Sequence, residues 1–520
     1  MDQEKNLDSI LVLEKQIEER EGHEKAIIQL KRARNSLLNI SILLSPEILG
    51  SIFCCNVIPD GDFGGLPMGS YNFLLVCHHW FEVASCTPEL WSFWGNSIGD
   101  WTHRHIRCRT VPLDLVLDSD GRHELGDQLR AALQDRATCD TIRQVHLRDH
   151  LGGQPVLNSI ISSIVVEGEG MRSSSVESFI VETDCWSAAD VSAFFSRYHL
   201  PKLHCLRLSG CSISSWDLLK SRITTLTTLK LSSGLSLIQD PSQLLSILSS
   251  NPLLQNLSMS PGLAPHPVGG DRSFPPVPLR HLKDLDIQSD SFDATFWLLS
   301  RLELPDKLHS LEMALTKCYP LEISQTLGPY LGDRVRGRGG IPGNGLVLMF
   351  EYGRGGFNLH MRSEHPIDGF AEMYWFVWVS MNVRLTDEET VGVCFDFIAH
   401  IPGEQVIRLK TNLSIPRSEE LCIGMRNLTH LDLTEVDLSR CFADPDIHGP
   451  HVFGELLRSL EHLKITMPTL NHGDWEPITN ILERRAAVGN RISSFVLSCH
   501  HQIPPEVVES IERTVEVFER

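Results

Sequence analysis

A short apolar pattern recurs along most of this chain and constrains its fold more than any other feature. The unit is apolar-x-x-apolar-x-apolar, and its first series advances in steps of 23 to 34 residues. One such unit cannot bury its own apolar side chains, so stacked copies must share a core. The copies are Ile142/Val145/Leu147, Val176/Phe179/Val181, Leu203/Leu206/Leu208, Leu226/Leu229/Leu231, Leu254/Leu257/Met259, Leu282/Leu285/Ile287, Leu308/Leu311/Met313, Leu428/Leu431/Leu433, Leu460/Leu463/Ile465 and Ile492/Phe495/Leu497.

Helix-like segments lie between several of these predicted strands. Asp240 suits an N-cap, and Pro241 suits the first turn of a helix. Residues 189–198, 292–302 and 452–460 have a similar character. Strand followed by helix, repeated many times, predicts an α/β solenoid whose parallel strands line a concave face. A generic α/β domain is the alternative.

The positions between the apolar anchors should face away from the core, because side chains alternate along a strand. The first strand offers Gln144, His146 and Arg148 in this way, with positive groups on early strands and negative groups on later ones. A mixed polar surface suits a protein or peptide partner, although a face that is only solvated would look the same. The charged candidates for target binding are Arg207, Lys230, Asp284, Asp286, Glu312, Asp432 and Lys464.

The repeat is interrupted between Met313 and Leu428. This interval contains two glycine-rich stretches, 337–340 and 353–356, which predict turns because no Lys-Ser/Thr follows to make a phosphate cradle. An antiparallel insertion and irregular repeats both fit this region. Its strand-like runs are 346–351, 357–361, 373–379 and 391–397, and residues 406–409 could form one more strand of the solenoid.

Two short hydrophobic blocks precede the repeats. Pro46 and Glu47 suit the first turn of a helix, where a missing N–H costs nothing and a negative charge meets the positive helix end. Ile48, Ile52 and Phe53 then share one face. The second block is apolar over more than half of its helical circumference, with Leu74, Cys77, Phe81 and Ala84 beside Val76, Trp80 and Val83.

These blocks, which begin at Leu44-Ser45-Pro46-Glu47-Ile48-Leu49, continue through Val76-Cys77-x-x-Trp80 and end at Thr87-Pro88-x-Leu90-Trp91. The three motifs resemble the F-box family, in the F-box-like form common in fungi. The resemblance implies helices that bind the Skp-type adaptor of a cullin–RING ubiquitin ligase. The implied adaptor contacts are Pro46, Glu47, Leu49, Ile52, Phe53, Leu74, Val76, Trp80, Val83, Leu90 and Trp91. A plain three-helix cap of a larger core is the alternative.

The later repeats resemble degenerate leucine-rich repeats, since many lack the asparagine that normally follows the strand. The predicted organisation is a charged N-terminal helix (1–38), an F-box-like domain (39–100), a connector (101–139) and a leucine-rich-repeat-like domain (140–520). An irregular or inserted region at about 320–425 interrupts the last domain. The N-terminal helix is either a partner helix or a solvated leader.

Composition limits the function classes. A net charge of −20 disfavours nucleic acid as a partner. The apolar runs are too short to span a membrane, so we expect a cytoplasmic or nuclear protein. No known catalytic or metal motif occurs, so we expect no enzyme activity, no metal and no cofactor. An enzyme site would have to be built from residues brought together by folding, for example near Asp396 and His400. The predicted function is a ligase substrate receptor with an unknown target, and the alternative is a leucine-rich-repeat scaffold unconnected to ubiquitin ligase.

Overall fold

The recurring apolar pattern forms parallel β-strands in the computed structural model. In residues 256–259, for example, Leu257 and Met259 are buried while Asn256 and Ser258 are half-buried. Alternation of this kind places one face of each strand on the core. The structure describes residues 12, 15, 28–31, 33–34, 44–57, 74–95, 111–119, 140–149, 161–162, 172–183, 189–213, 216–232, 241–260, 275–289, 291–305, 308, 310–315, 325–332, 346–353, 356–363, 376–381, 396–397, 399–401, 403–412, 425–434, 458–467, 475–499 and 502–519.

The chain divides into two units, Met1–Leu218 and Leu219–Arg520. The first unit begins with helices and continues with strands. Its described elements are α1 (Pro46–Val57), α2 (His78–Ser85), the 3-10 helix Pro88–Trp91, β1 (Phe93–Gly95), β2 (Leu113–Ser119), β3 (Ile142–Asp149), β4 (Arg172–Ser173), β5 (Ser178–Thr183), β6 (Ala189–Asp190), α3 (Ser192–Arg197), β7 (Tyr198–His199), β8 (Cys205–Ser209) and β9 (Cys211–Ser212). Helix α4 (Trp216–Arg222) contains the point of division.

The main sheet of the first unit is parallel, in the order β1–β2–β3–β5–β8. Its anchors stand in register, with Leu115 beside Val145, Val145 beside Phe179 and Phe179 beside Leu206. Helix α3 covers this row, since Phe194 stacks on Phe179 with ring centroids 4.4 Å apart. Parallel neighbours require a crossover between consecutive strands, and α3 lies in the crossover from β5 to β8.

The second unit repeats the strand–helix alternation. Its described elements are β10 (Thr228–Ser232), α5 (Pro241–Ser250), β11 (Asn256–Met259), β12 (Val277–Pro278), β13 (Asp284–Ser289), α6 (Phe292–Ser300), β14 (Leu302–Glu303), β15 (Ser310–Leu315), β16 (Leu346–Gly353), β17 (Gly356–Ser363), β18 (Phe376–Met381), the 3-10 helix Gly403–Gln405, β19 (Val406–Thr411), β20 (His430–Thr434), β21 (His462–Met467), α7 (Trp475–Ala487), β22 (Ile492–Cys499), α8 (Pro505–Thr514) and β23 (Val515–Glu519). Residues 325–332 are also helical.

Two parallel runs of strands build the sheet of the second unit: β10–β11–β13–β15 and β19–β20–β21–β22–β23. In the first run Leu229, Leu257, Leu285 and Leu311 stand side by side across the four strands. The leucine and isoleucine side chains of helix α5 are buried in the core: Leu244, Leu245, Ile247 and Leu248. The core of this unit therefore lies on the anchor side of the strands, where the helices pack.

The interrupted region joins the two runs. Strands β15 and β18 pair in parallel, β18 and β17 antiparallel, β17 and β16 antiparallel, and β16 and β19 in parallel. The predicted strands 346–351, 357–361 and 406–409 are thus present. Of the predicted run 373–379, residues 376–379 lie in β18, which continues to Met381, and residues 373–375 lie outside the described ranges. The two alternatives for this region, an antiparallel insertion and irregular repeats, both hold in part. Among the described strands, β17 alone runs antiparallel to its neighbours, and the strands around it keep the parallel order.

Several predictions need correction or fall outside the described ranges. Of the strand-like run 391–397 only Asp396 and Phe397 are described, and both are helical. Strand β2 lies within residues 101–139, which were predicted to be a connector. The prediction missed this strand because its buried Leu113, Leu115 and Leu117 alternate without the recurring apolar-x-x-apolar-x-apolar spacing. The helix predicted over residues 1–38 lies outside the description except at positions 12, 15, 28–31 and 33–34, which are helical. Residues 452–457 and 337–340 are likewise outside it.

The coarse prediction of an α/β fold with parallel strands and intervening helices is confirmed. Among the helices in the described ranges, none combines the length and apolar character that a membrane crossing requires.

Candidate protein-binding surfaces

Helices α1 and α2 and the 3-10 helix Pro88–Trp91 form a small packed group, hereafter the helical cluster. Its centre is apolar, with Phe53 only 1% exposed and its ring 5.2 Å from that of Trp80. Trp91 donates its indole N–H to the carbonyl of Ala84 at 2.8 Å, which ties the 3-10 helix to the end of α2. The aromatic residues of the motifs therefore hold the helical cluster together.

Local sequence explains how these helices begin and how closely they approach. The hydroxyl of Ser45 accepts the N–H of Ile48 at the start of α1, and its bond to Glu47 lowers the pKa of that carboxyl. Cys77 caps α2 by accepting the N–H of Trp80 on its sulfur. Gly50 lies against Thr87, where an added Cβ would sit 2.9 Å from the hydroxyl, so a glycine permits this contact.

The structure separates the predicted adaptor contacts into internal and surface residues. The buried ones are Leu49, Phe53, Val83, Leu90 and Trp91. The half-buried ones are Leu74 and Trp80, and the exposed ones are Pro46, Glu47, Ile52 and Val76.

Several exposed apolar side chains on α1, on α2 and in the turn just before α2 were missing from the predicted contacts. Leu75 is 84% exposed, Ile48 is 52% exposed and Phe81 is 43% exposed. With Ile52 and Val76 they make up the exposed apolar set of the helical cluster. Because Ile48 and Ile52 are four residues apart on α1, they share its outer face. The apolar run Leu74-Leu75-Val76 could have signalled this surface in the sequence.

The outward face of the first sheet carries paired charges. Arg143 donates Nε and Nη2 to the two carboxylate oxygens of Asp114 at 3.0 and 2.6 Å, and this bond raises the pKa of Arg143. Glu182 lies 3.7 Å from His146 and accepts Nε and Nη2 of Arg148 at 3.1 and 2.9 Å. The partnership with His146, followed by that with Arg148, lowers the pKa of Glu182 to about 2.

His146 is a correction to the predicted outward positions, because it is only 6% exposed. It stands in register between Val116 and Ile180, which are also buried. At this row the sheet is therefore covered on the outward face as well as on the anchor face. Arg207 is next in the row, beside Ile180, and is half-buried. The middle of this face is therefore more apolar than its sequence alternation predicts.

A row of polar residues crosses β10, β11, β13 and β15 of the second unit: Lys230, Ser258, Asp286 and Glu312. Ser258 donates its hydroxyl to Asp286 at 2.8 Å. Burial, together with the charges of Asp286 and Asp284, raises the pKa of Glu312. Asp284 stands in the adjacent row, beside Asn256 and Ser310. We call Asp286 and Glu312, together with this third carboxylate, the acidic row; a cation of a partner would relieve their mutual repulsion.

The later strands β19, β20 and β21 carry a different surface. One row across them contains Arg408, His430 and His462, and the next contains Lys410, Asp432 and Lys464. The prediction that later strands are negative is therefore wrong here. We call these six residues the basic patch; they are half-buried except for Lys464, which is exposed. Asp432 and Lys464 were predicted from the sequence as target-binding candidates, whereas Arg408 and Lys410 were missed, because residues 408 to 464 are brought together only by strand pairing.

The two histidines of the basic patch are in direct contact. Their rings stack with centroids 4.2 Å apart and an interplanar angle of 23°. Thr429 donates its hydroxyl to the carbonyl of Ile407 at 3.0 Å, and the same oxygen lies 2.8 Å from Nδ1 of His430. This contact fixes the orientation of the His430 ring against β19.

Comparison with known proteins gives no assignment: no known protein family matches the chain, and no curated protein gives a significant match.

Proposed function

We propose that this chain is the substrate-recognition subunit of an SCF-type cullin–RING ubiquitin ligase. In this proposal the helical cluster is F-box-like and binds the Skp-type adaptor. The strands and helices that follow form a leucine-rich-repeat-like solenoid whose polar face binds the target protein. The receptor performs no chemistry; it raises the effective concentration of target lysines near a ubiquitin-conjugating enzyme.

The observation that carries the proposal is the exposed apolar set of the helical cluster. Leu75, Val76 and Ile48 are each more than half exposed on a segment whose core is already filled by Phe53 and Trp91. Exposed side chains of this size, concentrated on α1 and on the turn that leads into α2, are typical of a protein-interaction site. An adaptor that buries them would gain about 25 cal/mol for each Å² of apolar surface removed from water.

The test is capture of a Skp-type adaptor by the full chain on co-expression. We expect stable capture by the wild type and a loss of at least about tenfold in affinity for Val76→Glu, because a charge would be buried in an apolar interface. Leu253→Glu is the matched control, since Leu253 is 50% exposed but lies outside the helical cluster. Circular dichroism checks that both variants are folded.

Either of two results would contradict the proposal. One is a folded wild-type chain that captures no Skp-type adaptor, which would favour a repeat scaffold unconnected to ubiquitin ligase. The other is equal capture by Val76→Glu and Leu253→Glu, which would move any contact away from the helical cluster.

The target-binding part of the proposal rests on the charged residues of the strands: Arg207, Lys230, Asp284, Asp286, Glu312, Asp432 and Lys464. The acidic row supports a basic segment of the target at β13 and β15, because a cation there would offset the repulsion that raises the pKa of Glu312. Replacing Asp284 and Asp286 together by Lys should abolish capture of such a target and leave adaptor capture unchanged. Unaltered target capture would remove this part of the surface from the proposal.

A further inference from the structure

Ser45, the residue just before α1, is exposed and is followed by the exposed Pro46. The chain contains two other hydroxyl residues followed by proline, Thr87 and Ser260. Thr87 is half-buried and donates its hydroxyl to a carbonyl of α2 at 2.8 Å. Ser260 is half-buried, and its N–H donates to a carbonyl of β10 at 2.7 Å. Of the three, Ser45 is therefore the one that an enzyme acting on a hydroxyl before proline can reach.

Ser45 lies on the same side of α1 as part of the exposed apolar set. Ser45, Ile48 and Ile52 are spaced three and then four residues apart, which places them on one face of a helix. The N–H of Ile48 lies 3.5 Å from Oγ of Ser45. With a rise of about 1.5 Å per residue, Ile48 and Ile52 follow about 4.5 and about 10.5 Å further along the axis. A group attached to Oγ of Ser45 would therefore stand at the edge of the exposed apolar set.

A negative group on Ser45 would also meet the carboxylate of Glu47. In the unmodified chain the hydroxyl bonds to Glu47 and favours its ionised form. A phosphoryl group replaces this donor by three acceptor oxygens that carry a charge of about −1.5 to −2 near neutral pH. The attraction between the two side chains would become a repulsion between like charges.

We propose that Ser45 is phosphorylated by a kinase that acts on serine followed by proline, and that the phosphate weakens binding of the Skp-type adaptor. This inference rests on the proposed function, because it assigns a regulator to the adaptor-binding surface. Oγ of Ser45 attacks the γ-phosphorus of Mg²⁺-bound ATP, and the new O–P bond forms as the bond to the bridging oxygen breaks. ADP leaves with that electron pair, and the hydroxyl proton passes to a carboxylate base of the kinase.

The position of Ser45 in the chain suits recognition by such a kinase. Proline has a fixed φ and no N–H, and it biases the residue before it towards an extended backbone. Ser45 itself lies outside the helix, which begins at Pro46. Its carbonyl accepts the N–H of Leu49 at 3.0 Å, in the first turn, where helices open most readily. A kinase can therefore engage Ser45 without disturbing the centre of the helical cluster.

The expected loss of adaptor binding does not depend on unfolding of α1. A phosphate before the first turn meets the positive end of the helix, which favours it. The helix is also held by Leu49 and Phe53, each 1% exposed. The phosphate acts instead on the surface, because an adaptor that covers Ile48 would have to strip water from a dianion beside it. Adaptor affinity should fall while the melting temperature of the chain does not.

The test treats the full chain with a purified mitogen-activated protein kinase and Mg²⁺-bound ATP, and maps phosphate by mass spectrometry. We expect phosphate on Ser45 and none on Thr87 or Ser260. The phosphorylated chain should bind a Skp-type adaptor at least about tenfold more weakly than the untreated chain, a difference of about 1.4 kcal/mol. A phosphatase, which transfers the phosphoryl group to water, should restore the affinity.

Two substitutions at the same position separate charge from helix capping. Asn and Asp are both strong N-caps, so Ser45→Asn and Ser45→Asp keep the start of α1 and differ in one negative charge. We expect Ser45→Asp to bind the adaptor at least about threefold more weakly than Ser45→Asn. Kinase treatment should leave the adaptor affinity of Ser45→Asn unchanged. Circular dichroism and thermal melting of both variants verify that the helices are intact.

Each part of the inference can be overturned separately from the proposed function. Phosphate on Thr87 with none on Ser45 would contradict the assignment of the acceptor. Equal adaptor affinity of the phosphorylated and untreated chains, or of Ser45→Asp and Ser45→Asn, would contradict the regulatory role alone. A folded untreated chain that captures no adaptor would contradict the proposed function and with it the regulation, whereas phosphate on Ser45 would still establish the modification site.

Discussion

The side-chain oxygen of Asn251 accepts the backbone N–H of Leu226, 25 residues earlier in the chain, at 3.0 Å. Its Nδ2 donates to the carbonyls of Ile223 and Ile247, and the whole side chain is buried. Arg485 makes a related contact, since its Nη2 donates to the carbonyl of Leu460, also 25 residues earlier, at 2.9 Å. In both places a residue at the end of a helix reaches back to the first anchor of the preceding strand.

Asn251→Ala should destabilise the protein by about 1–3 kcal/mol, because it leaves a buried N–H and two buried carbonyls without their side-chain partner. Urea unfolding of the full chain measures the loss. Asn256→Ala is the control: Asn256 is half-buried and donates to Thr228 at 3.2 Å, where water can replace the bond. Equal losses for the two variants would mean that burial of Asn251 is not what makes it important.

Gly210, between β8 and β9, combines a left-handed backbone with a close contact. Its φ is +64°, and an added Cβ would overlap the carbonyl oxygen of Thr183. Gly489 has a φ of +81° but no described atom within 4 Å of an added Cβ. We expect Gly489→Ala to cost about 1–2 kcal/mol from the backbone alone, and Gly210→Ala to cost more than about 3 kcal/mol. Chemical denaturation of both variants tests the difference, and similar costs would contradict the overlap.

Glu182 should make the protein sensitive to acid. Its pKa falls from the ordinary 4.5 to about 2 because His146 and Arg148 favour the ionised form. The stability it contributes is therefore fully present above about pH 4.5 and is lost as the pH falls towards about 2. We expect Glu182→Gln to be less stable than the wild type at about pH 6 and to approach it at about pH 2. A constant difference in urea midpoint across this range would contradict the pairing.

Glu312 should show the opposite dependence. Burial and the charges of Asp286 and Asp284 raise its pKa above 4.5, so ionised Glu312 disfavours the folded state. Its stabilising contribution is present below about pH 4.5 and is lost as the pH rises through the raised pKa. Glu312→Gln should therefore melt at a higher temperature than the wild type at about pH 7, with the two converging near pH 4. The same variant should bind a basic target less well, because one of the three carboxylates is neutral.

The sequence by itself was enough to locate the strands that carry the recurring apolar spacing and their buried faces, although not β2. The spacing apolar-x-x-apolar-x-apolar places Leu229 and Leu231 on one side of β10, and the same spacing in β11 and β13 brings their anchors into register. Burial of anchors depends mainly on local alternation, which a sequence displays directly. For the same reason most residues between the anchors were correctly placed away from the core; His146 and Ile180 are exceptions, since both are buried.

Tertiary structure alone decided which residues meet. The six residues of the basic patch come from three strands spread over 57 positions, 408 to 464, and only parallel pairing aligns them. The exposed apolar set of the helical cluster likewise depends on which helix face packs inward, and a helix that is apolar over half of its circumference leaves that choice to its neighbours. The reversed strand β17 and the contact from Asn251 to Leu226 are equally non-local. Such contacts depend on which distant segments of the chain pack together. The spacing of apolar residues along the sequence does not specify that.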